Sequence, residues 1–140
     1  MSKTSYVFVD TSFFKAILDI RDEFHTSAGK ILKRLQEEEE TLLITSNYML
    51  DESFTLLRKR CGLESCIQLR DDLIRSSKAI KLVRVTVADE AGAWEWFLKD
   101  WSDLSFTDCV SFTMMKRLEL TRVATFDQDF TRAGFEIEKA

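Results

Sequence analysis

Four acidic residues occupy positions from which they could do chemistry together. Asp10 directly follows a short run of β-branched and aromatic residues, and Asp127 follows the apolar segment 123–125 with one residue between. Asp108 lies at the start of the predicted helix before that segment, and Glu52 lies in another helix, off its apolar stripe. Acids at the ends of neighbouring elements can converge at one edge of a sheet. They are therefore the first candidates for a functional site.

Each of these acids also has a structural explanation when it is taken alone. Asp10 and Asp127 could be helix N-caps, Asp108 could form a capping box with Ser105, and Glu52 could be a surface acid. The joint pattern is harder to explain in this way, because four carboxylates at one corner repel one another unless a positive charge lies among them. The pattern therefore predicts a divalent cation at that corner.

The ligand types favour Mg²⁺ or Mn²⁺. Magnesium prefers oxygen ligands and keeps several waters, so a few carboxylates are enough and no imidazole is required. The chain has one histidine, His25, and its three cysteines, Cys61, Cys66 and Cys109, lack the spacing of a zinc site or a disulfide framework. Because a hard cation activates water near neutral pH and stabilises a leaving oxygen, the predicted reaction is hydrolysis of a phosphodiester.

Strands and helices alternate along the chain that must position these acids. The predicted strands cover residues 6–9, 42–44, 80–85, 122–125 and 135–137. The first predicted helix follows Asp10, and the next four cover about residues 26–39, 50–61, 64–77 and 86–99. Another helix starts at Thr107, and a last, short helix follows Asp127. Gly62 is expected to end the helix that contains Glu52. The apolar stripe of that helix comprises Leu50, Phe54, Leu57 and Cys61.

This alternation predicts an α/β fold. Strands separated by helices imply right-handed crossovers, and so a mainly parallel sheet of about five strands covered on both faces, a three-layer α/β/α sandwich. Residues 80–85 alternate only in part, which is typical of a strand near the sheet edge. The 140 residues contain no proline, and we find no repeat or linker. We therefore expect one domain over residues 1–140.

The overall charge does not indicate a nucleic-acid-binding protein. Twenty Lys and Arg against 24 Asp and Glu give a net charge of −4. Local basic patches remain possible, although the same residues are also expected near helix C-termini, where they complement the helix dipole. The candidates for phosphate contacts are Arg58, Lys59, Arg60, Arg70, Arg75, Arg117 and Arg132.

The amino-terminal residues lack the apolar run of a signal peptide, and no stretch of about 18 apolar residues could span a bilayer. We therefore expect a protein of the cytoplasm without a membrane segment.

Four motifs follow one another in a distinctive order. They are Val9-Asp10-Thr11-Ser12, then Thr45-Ser46 through Asp51-Glu52, then Leu104-Ser105-Phe106-Thr107-Asp108, and finally Ala124-Thr125-Phe126-Asp127-Gln128-Asp129-Phe130. In order and spacing they resemble the PIN-domain ribonucleases, most closely the VapC-type toxins of bacterial and archaeal toxin–antitoxin pairs. The resemblance runs over nearly the whole chain, from Phe8 to Phe135.

The resemblance implies a parallel sheet in the order 3-2-1-4-5 and a Mg²⁺- or Mn²⁺-dependent endoribonuclease acting on structured RNA such as transfer or ribosomal RNA. The residues that match the acidic metal-binding positions of the family are Asp10, Glu52, Asp108 and Asp127. Thr11 or Ser12 matches a hydroxyl that supports the first aspartate, and Asp129 is a candidate accessory acid. Two neighbouring positions depart from common family sequences, with Phe126 in place of a frequent Asn and Cys109 in place of a frequent Ala.

The resemblance also implies two protein partners, a second copy of the chain and an antitoxin. An antitoxin segment would lie across the first helices, where Phe13, Phe14 and Ile17 are expected to be partly exposed. A second aromatic group comprises Trp94, Trp96, Phe97 and Trp101. It could belong to the core, to a dimer interface or to a base-stacking surface, and the core is favoured for at least one tryptophan.

Two alternatives remain at the level of sequence. A PIN-like scaffold could bind RNA or protein without cutting, although a site that no longer cuts has no reason to keep four mutually repelling acids. A response-regulator receiver domain also collects acids at strand ends, but it requires paired acids after the first strand and a lysine after the last. Residues 10–12 and 135–140 fit that pattern poorly.

Overall fold

The computed structural model describes residues 4–75, 80–101 and 103–140. The strands are β1 (Ser5–Val9), β2 (Thr41–Ser46), β3 (Ile80–Val83), β4 (Arg122–Ala124) and β5 (Glu136–Ile137). The helices are α1 (Thr11–Leu18), α2 (His25–Glu37), α3 (Asn47–Arg60), α4 (Leu63–Arg75), α5 (Val87–Phe97), α6 (Phe106–Arg117) and α7 (Asp129–Arg132). The predicted end of the fourth helix at Ser77, and Ser102 of the segment between α5 and α6, lie outside the described residues.

The strands form one sheet in the order β3-β2-β1-β4-β5, and every neighbouring pair is parallel. The chain winds outward from β1 through β2 to β3 and then returns to β4 on the other side of β1. Because the winding direction changes between β1 and β4, a crevice forms beyond their carboxyl ends. The predicted strand order and the edge position of β3 are confirmed.

The side chains of β1 alternate between two hydrophobic cores. Val7 and Val9 belong to a core with residues of α1, α2, α3 and α4, whereas Phe8 belongs to a second core formed mainly with α6 and the chain around α7. All three are at most 1% exposed. Since successive strand residues point to opposite faces, the sheet is covered on both sides. The three-layer α/β/α architecture is confirmed.

Helix α3 ends where the sequence predicts, but the predicted apolar stripe matches its buried residues only in part. Gly62 has φ +92°, and its N–H donates to the Leu57 carbonyl at 3.0 Å, so the chain leaves the helix through a backbone conformation that suits glycine. The buried residues of α3 are Met49, Ser53 and Leu57, whereas the predicted Leu50, Phe54 and Cys61 are half-buried. Ser53 is buried because its hydroxyl contacts Met49 and Thr11, which an apolar pattern cannot reveal.

Two predictions about the region around the first helices and β3 are wrong. Phe13 and Phe14 are only 2% and 6% exposed, because α2 and α3 cover the face of α1 that carries them. Strand β3 ends at Val83 instead of residue 85. The N–H of Val85 donates to the Asn47 side chain at 2.8 Å, and Thr86 already forms the N-cap of α5.

Candidate active site

The four predicted acids line one depression of about 390 Å³. Asp10 connects β1 to α1, and Asp127 follows β4, the parallel neighbour of β1. Asp108 lies in the first turn of α6, and Glu52 lies in the second turn of α3. The depression opens at the carboxyl ends of the two central strands, where the sequence predicted that they would meet.

Asp10 is both a helix cap and a member of this site. Its carboxylate is 4% exposed and accepts hydrogen bonds at Oδ2 from the Ser12 N–H at 3.2 Å, the Ser12 hydroxyl at 2.7 Å and the Thr125 hydroxyl at 2.7 Å. Burial raises the pKa of Asp10 against the opposing effect of these bonds, and the charge of Asp127 raises it further. The capping explanation and the site explanation therefore describe the same carboxylate.

Thr125 connects Asp10 to Asp127, and the sequence analysis did not assign it a role. Its hydroxyl donates to Asp10 Oδ2 and accepts from the Asp127 N–H at 3.0 Å, and the residue is 1% exposed. The strand register contains the signal that could have identified it. Val9 pairs with Ala124, so the next residues, Asp10 and Thr125, must lie beside each other.

Asp108 has a strongly raised pKa. Burial first, and then the charges of Asp10, Asp127 and Glu52, raise its pKa to about 7. It also forms the predicted capping box, since its N–H donates to the Ser105 hydroxyl at 3.0 Å and its carboxylate accepts from the Ser105 N–H at 3.4 Å. Asp108 is 7% exposed and lines the depression with the three other acids.

Glu52 experiences the same combination of burial and repulsion. Its pKa is raised mainly by burial and then by the charge of Asp10, while the hydroxyl groups of Thr11 and Thr107 partly oppose the increase. The residue is half-buried. Asp10, Glu52 and Asp108 thus all have raised pKa values, and such a group of perturbed acids in a depression indicates a candidate functional site.

Of the two candidate supporting hydroxyls, Ser12 contacts Asp10. Ser12 Oγ also accepts from the Phe126 N–H at 2.9 Å, so it connects α1 to the segment after β4. The Thr11 hydroxyl instead contacts Met49 Sδ at 3.0 Å and Ser53 Oγ at 2.9 Å. Thr11 therefore fixes α1 against α3, the helix that carries Glu52.

Asp129 lies beside the depression without lining it. Its N–H donates to Asp127 Oδ1 at 2.9 Å, and burial followed by the charge of Asp127 raises its pKa. It opens α7 and is half-buried. The geometry thus gives Asp129 a contact with a site acid through its backbone.

The ligand chemistry suits a hydrated divalent cation. Within residues 4–75, 80–101 and 103–140, no three Asp, Glu, His or Cys side chains come close enough to enclose an ion directly. The depression nevertheless offers carboxylate oxygens from four sides and room for water. Mg²⁺ keeps several of its waters and takes one or two carboxylates directly, so Asp10, Glu52, Asp108 and Asp127 fit it better than a dehydrated ion.

The candidate phosphate-binding residues fall into two groups. Arg117 makes a bidentate ion pair with Asp89 at 2.7 and 2.8 Å, Arg70 pairs with Asp71 at 2.9 Å, and Arg132 lies 4.1 Å from the centroid of the Trp101 ring. The residues that are exposed at the last turns of α3 and α4 are Arg58, Lys59, Arg60 and Arg75. All seven residues are exposed, so the two groups differ in the contacts described for their side chains and not in exposure.

The aromatic group on α5 divides between core and surface. Trp96 and Trp101 are half-buried and pack against the second core, as expected for at least one tryptophan. Trp94 and Phe97 are 51% and 41% exposed and contact Phe106, Trp94 in a tilted arrangement and Phe97 edge-on. No described helix is long and apolar enough to cross a bilayer.

Comparison with known proteins agrees with this geometry. The family model described as PIN domain matches residues 7–136. The 23S rRNA-specific endonuclease VapC20, from two strains of Mycobacterium tuberculosis, is 37% identical over 130 residues, which are 92% of this chain and 95% of the relative.

Solved structures of PIN-like proteins have a similar fold. The crystal structure of Mycobacterium tuberculosis VapC20, described as a sarcin–ricin loop cleaving toxin, has a TM-score of 0.80 at 36% identity and covers 93% of this chain and 96% of that chain. VapBC2 from Rickettsia felis, bound to a DNA fragment from their promoter, has a TM-score of 0.69 at 12% identity, covering 95% and 97%. FitAcB from Neisseria gonorrhoeae has a TM-score of 0.63 at 16% identity, covering 95% and 96%. The last two show the fold alone.

Proposed function

The chain belongs to the PIN-domain family, as a relative of the VapC-type toxins, and on that premise we propose that it is a divalent-metal-dependent endoribonuclease, the toxin of a toxin–antitoxin pair. The observation that carries the proposal is the convergence of Asp10, Glu52, Asp108 and Asp127 on one depression. A receiver-like phosphate-handling domain is excluded by the family assignment.

The residues of the depression have separate tasks in this proposal. Ser12 and Thr125 hold Asp10 by bonds that all end on Oδ2, and Asp10 would hold the cation together with Glu52, Asp108 and Asp127. A bound Mg²⁺ or Mn²⁺ supplies charge neutralisation at the phosphate and activation of water. Burial and the neighbouring acids raise the pKa of Asp108 to about 7, and Asp108 would be one of the four carboxylates that hold the cation. Thr11 keeps α3, and with it Glu52, against α1.

We infer the substrate from the relative whose name states its target. VapC20 acts on 23S ribosomal RNA and is 37% identical to this chain over 130 residues. We assign a structured RNA of the ribosome as the substrate, with transfer RNA as the alternative, and the cytoplasm as the place of action. The exposed Arg58, Lys59, Arg60 and Arg75 are the candidates for additional phosphate contacts.

An antitoxin and a second copy of the chain are the proposed protein partners. Because Phe13 and Phe14 are buried, the antitoxin segment is assigned instead to the mouth of an apolar cavity of about 440 Å³ that Ile17, Leu18 and Leu32 line with them. Co-expression with the neighbouring reading frame tests the antitoxin, and light scattering tests the dimer. Failure to copurify a small partner would contradict the first assignment, and a monomeric mass would contradict the second.

The decisive experiment measures RNA cleavage with Mg²⁺, with Mn²⁺ and with EDTA. The unaltered chain should cut only with a divalent cation, and Asp10→Asn or Asp127→Asn should abolish cutting while the circular dichroism spectrum stays native. Glu52→Gln should lower the rate at least about tenfold. Its matched control is Asp51→Asn, since Asp51 is the exposed neighbour of Glu52 on α3 and lies outside the depression. Cleavage that persists in EDTA would contradict the metal mechanism. Metal-dependent RNA binding without cleavage would favour the scaffold.

A further inference from the structure

Three phenylalanine rings form a column that ends at the rim of the acidic depression. Phe126 stacks on Phe24 with ring centroids 4.5 Å apart and an angle of 3° between the ring planes. Phe126 also stacks on Phe13, with centroids 6.1 Å apart and an angle of 13°. Phe13 is buried in the core, whereas Phe24 is 38% exposed. Because Phe126 covers one face of Phe24, the exposed area lies on the opposite face and the ring edge.

The column is fixed relative to the carboxylates. Phe126 directly precedes Asp127, and its N–H donates to Ser12 Oγ at 2.9 Å, the same hydroxyl that donates to Asp10 at 2.7 Å. Phe24 and Phe126 line the depression together with the four acids. Any group that binds between the acids and the exposed face of Phe24 therefore meets a surface of defined position.

The loop that carries Phe24 is also held in place. The Phe24 N–H donates to Asp22 Oδ1 at 2.8 Å, and the other carboxylate oxygen of Asp22 accepts from Lys15 Nζ at 2.8 Å. Lys15 also binds Asp19 at 3.0 Å. An exposed aromatic ring on a restrained loop loses little conformational entropy when a flat group stacks on it.

We propose that Phe24, supported by Phe126, is a stacking platform for an unpaired nucleobase next to the phosphodiester that is cut. This inference rests on the proposed nuclease function and adds the residue that positions the substrate base. A phosphate at the acids brings a base with every nucleotide, and proteins recognise single-stranded RNA by stacking its bases on aromatic side chains. The flat outer face of Phe24 suits a planar base, and its position in the same depression connects it to the catalytic centre.

The test uses an RNA hairpin that carries the sarcin–ricin loop, the substrate stated for VapC20. Phe24→Leu keeps the apolar volume but removes the ring, and it should raise KM roughly ten- to a hundredfold with a smaller effect on kcat, as expected for the loss of one base–aromatic stack. Phe24→Trp should retain the low KM. The control is Val87→Ala, which shortens an apolar side chain that is 82% exposed at the start of α5, outside the depression, and should leave KM unchanged.

A second measurement separates stacking from a structural role of Phe24. Abasic sites are placed one at a time along the loop, and one position should raise the KM of the unaltered chain by the same factor as Phe24→Leu. In the Phe24→Leu variant the same abasic site should not raise KM further. The base and the ring contact each other, so removing either one removes the same interaction. If Phe24→Leu only disturbed the local structure, each abasic site would raise KM by the same factor in the variant and in the unaltered chain.

The outcomes distinguish this inference from the proposed function. If the unaltered chain cuts RNA only with a divalent cation, but Phe24→Leu has the original KM or the abasic penalties are independent of residue 24, the stacking platform is refuted and the nuclease stands. If the unaltered chain neither cuts nor binds RNA, the proposed function fails and this inference fails with it.

Discussion

At the scale of single residues, hydroxyl and backbone groups hold the acids of the depression. Asp10 accepts from Ser12 and Thr125, and Asp108 accepts from the Ser105 N–H. A neutral donor fixes a carboxylate without adding a positive charge, so the mutual repulsion of the acids persists. Burial first, and then this repulsion, raise the pKa values of Asp10 and Asp108. A divalent cation in the proposed site would reduce the repulsion and so would couple metal binding to the stability of the protein.

Thr125→Val is predicted to weaken metal binding, because it removes the donor to Asp10 and the acceptor of the Asp127 N–H while keeping the side-chain volume. The affinity for Mn²⁺, measured by calorimetry, should fall about ten- to a hundredfold. The free energy of unfolding should fall by about 1–2 kcal/mol. Thr125→Ser retains the hydroxyl and should restore both quantities. An unchanged Mn²⁺ affinity in the valine variant would show that Thr125 does not position the ligands.

The second residue-scale prediction concerns the pH dependence of stability in EDTA. Asp108 has a pKa of about 7 in the folded chain and about 3.9 in an unfolded one, so between these values the folded state binds more protons. The contribution of Asp108 to stability should therefore be fully present below about pH 4 and be lost as the pH rises to about 7, by at most about 4 kcal/mol. Thermal unfolding should show this slope flattened by Asp108→Asn and the loss at pH 8 reversed by excess Mg²⁺. A melting temperature that rises over this range would contradict the prediction.

At the scale of elements, an ion pair at the opposite end of α6 from Asp108 fixes α6 against α5. Asp89 is 1% exposed, closes the capping box of α5 and binds Arg117 in the last turn of α6 with two bonds. The charge and hydrogen bonds of Arg117, together with the cap, lower the pKa of Asp89 against the effect of burial. Arg117, a sequence candidate for phosphate binding, thus has a structural partner.

Arg117→Met is predicted to destabilise the fold by about 3 kcal/mol, because it leaves the buried Asp89 charge without its partner. Urea unfolding measures the effect, and RNA affinity at constant folded fraction should change little. Arg58→Met, at an exposed position of the last turn of α3, is the control and should show the reverse pattern, with normal stability and weaker RNA binding. If Arg117→Met unfolds like the original chain, the ion pair is not a structural element.

At the scale of the whole molecule, the carboxyl terminus is joined to distant parts of the chain by charges. Glu138 is 7% exposed and accepts from Arg122 on β4 at 2.7 Å and from Arg34 on α2 at 3.2 Å. Arg122 also donates to Ser5 on β1 and to Glu38 after α2. One network therefore connects the first strand, the second helix and the last residues of the chain.

Glu138→Gln is predicted to lower the free energy of unfolding by about 2 kcal/mol, since it removes the charge that pairs with Arg122 and Arg34 in a buried position. The matched control, Glu136→Gln, replaces an exposed acid on β5, two residues before Glu138, and should change stability by less than about 0.5 kcal/mol. Equal denaturation midpoints for the two variants would refute the role of the network.

The fold and most of the site geometry could be predicted from local patterns. Strand–helix alternation gave the sheet, and acids placed after strands converge because parallel strands end at one edge. Gly62 and the Ser105–Asp108 capping box followed from backbone chemistry that acts over a few residues. The burial of Ser53 and the two-sided contact of Thr125 could not be predicted in this way, because their partners are distant in the chain.

By itself the sequence determined the fold class, the family and the four acids, because hydrophobic periodicity and motif spacing are local properties of the chain. Only the tertiary structure decided that Phe13 and Phe14 are buried, that Arg117 is paired with Asp89, and that Phe24 stacks beside the acids. Each of these outcomes depends on which side chain a neighbouring element presents. That choice is made by packing across long sequence separations, on which periodicity carries no information.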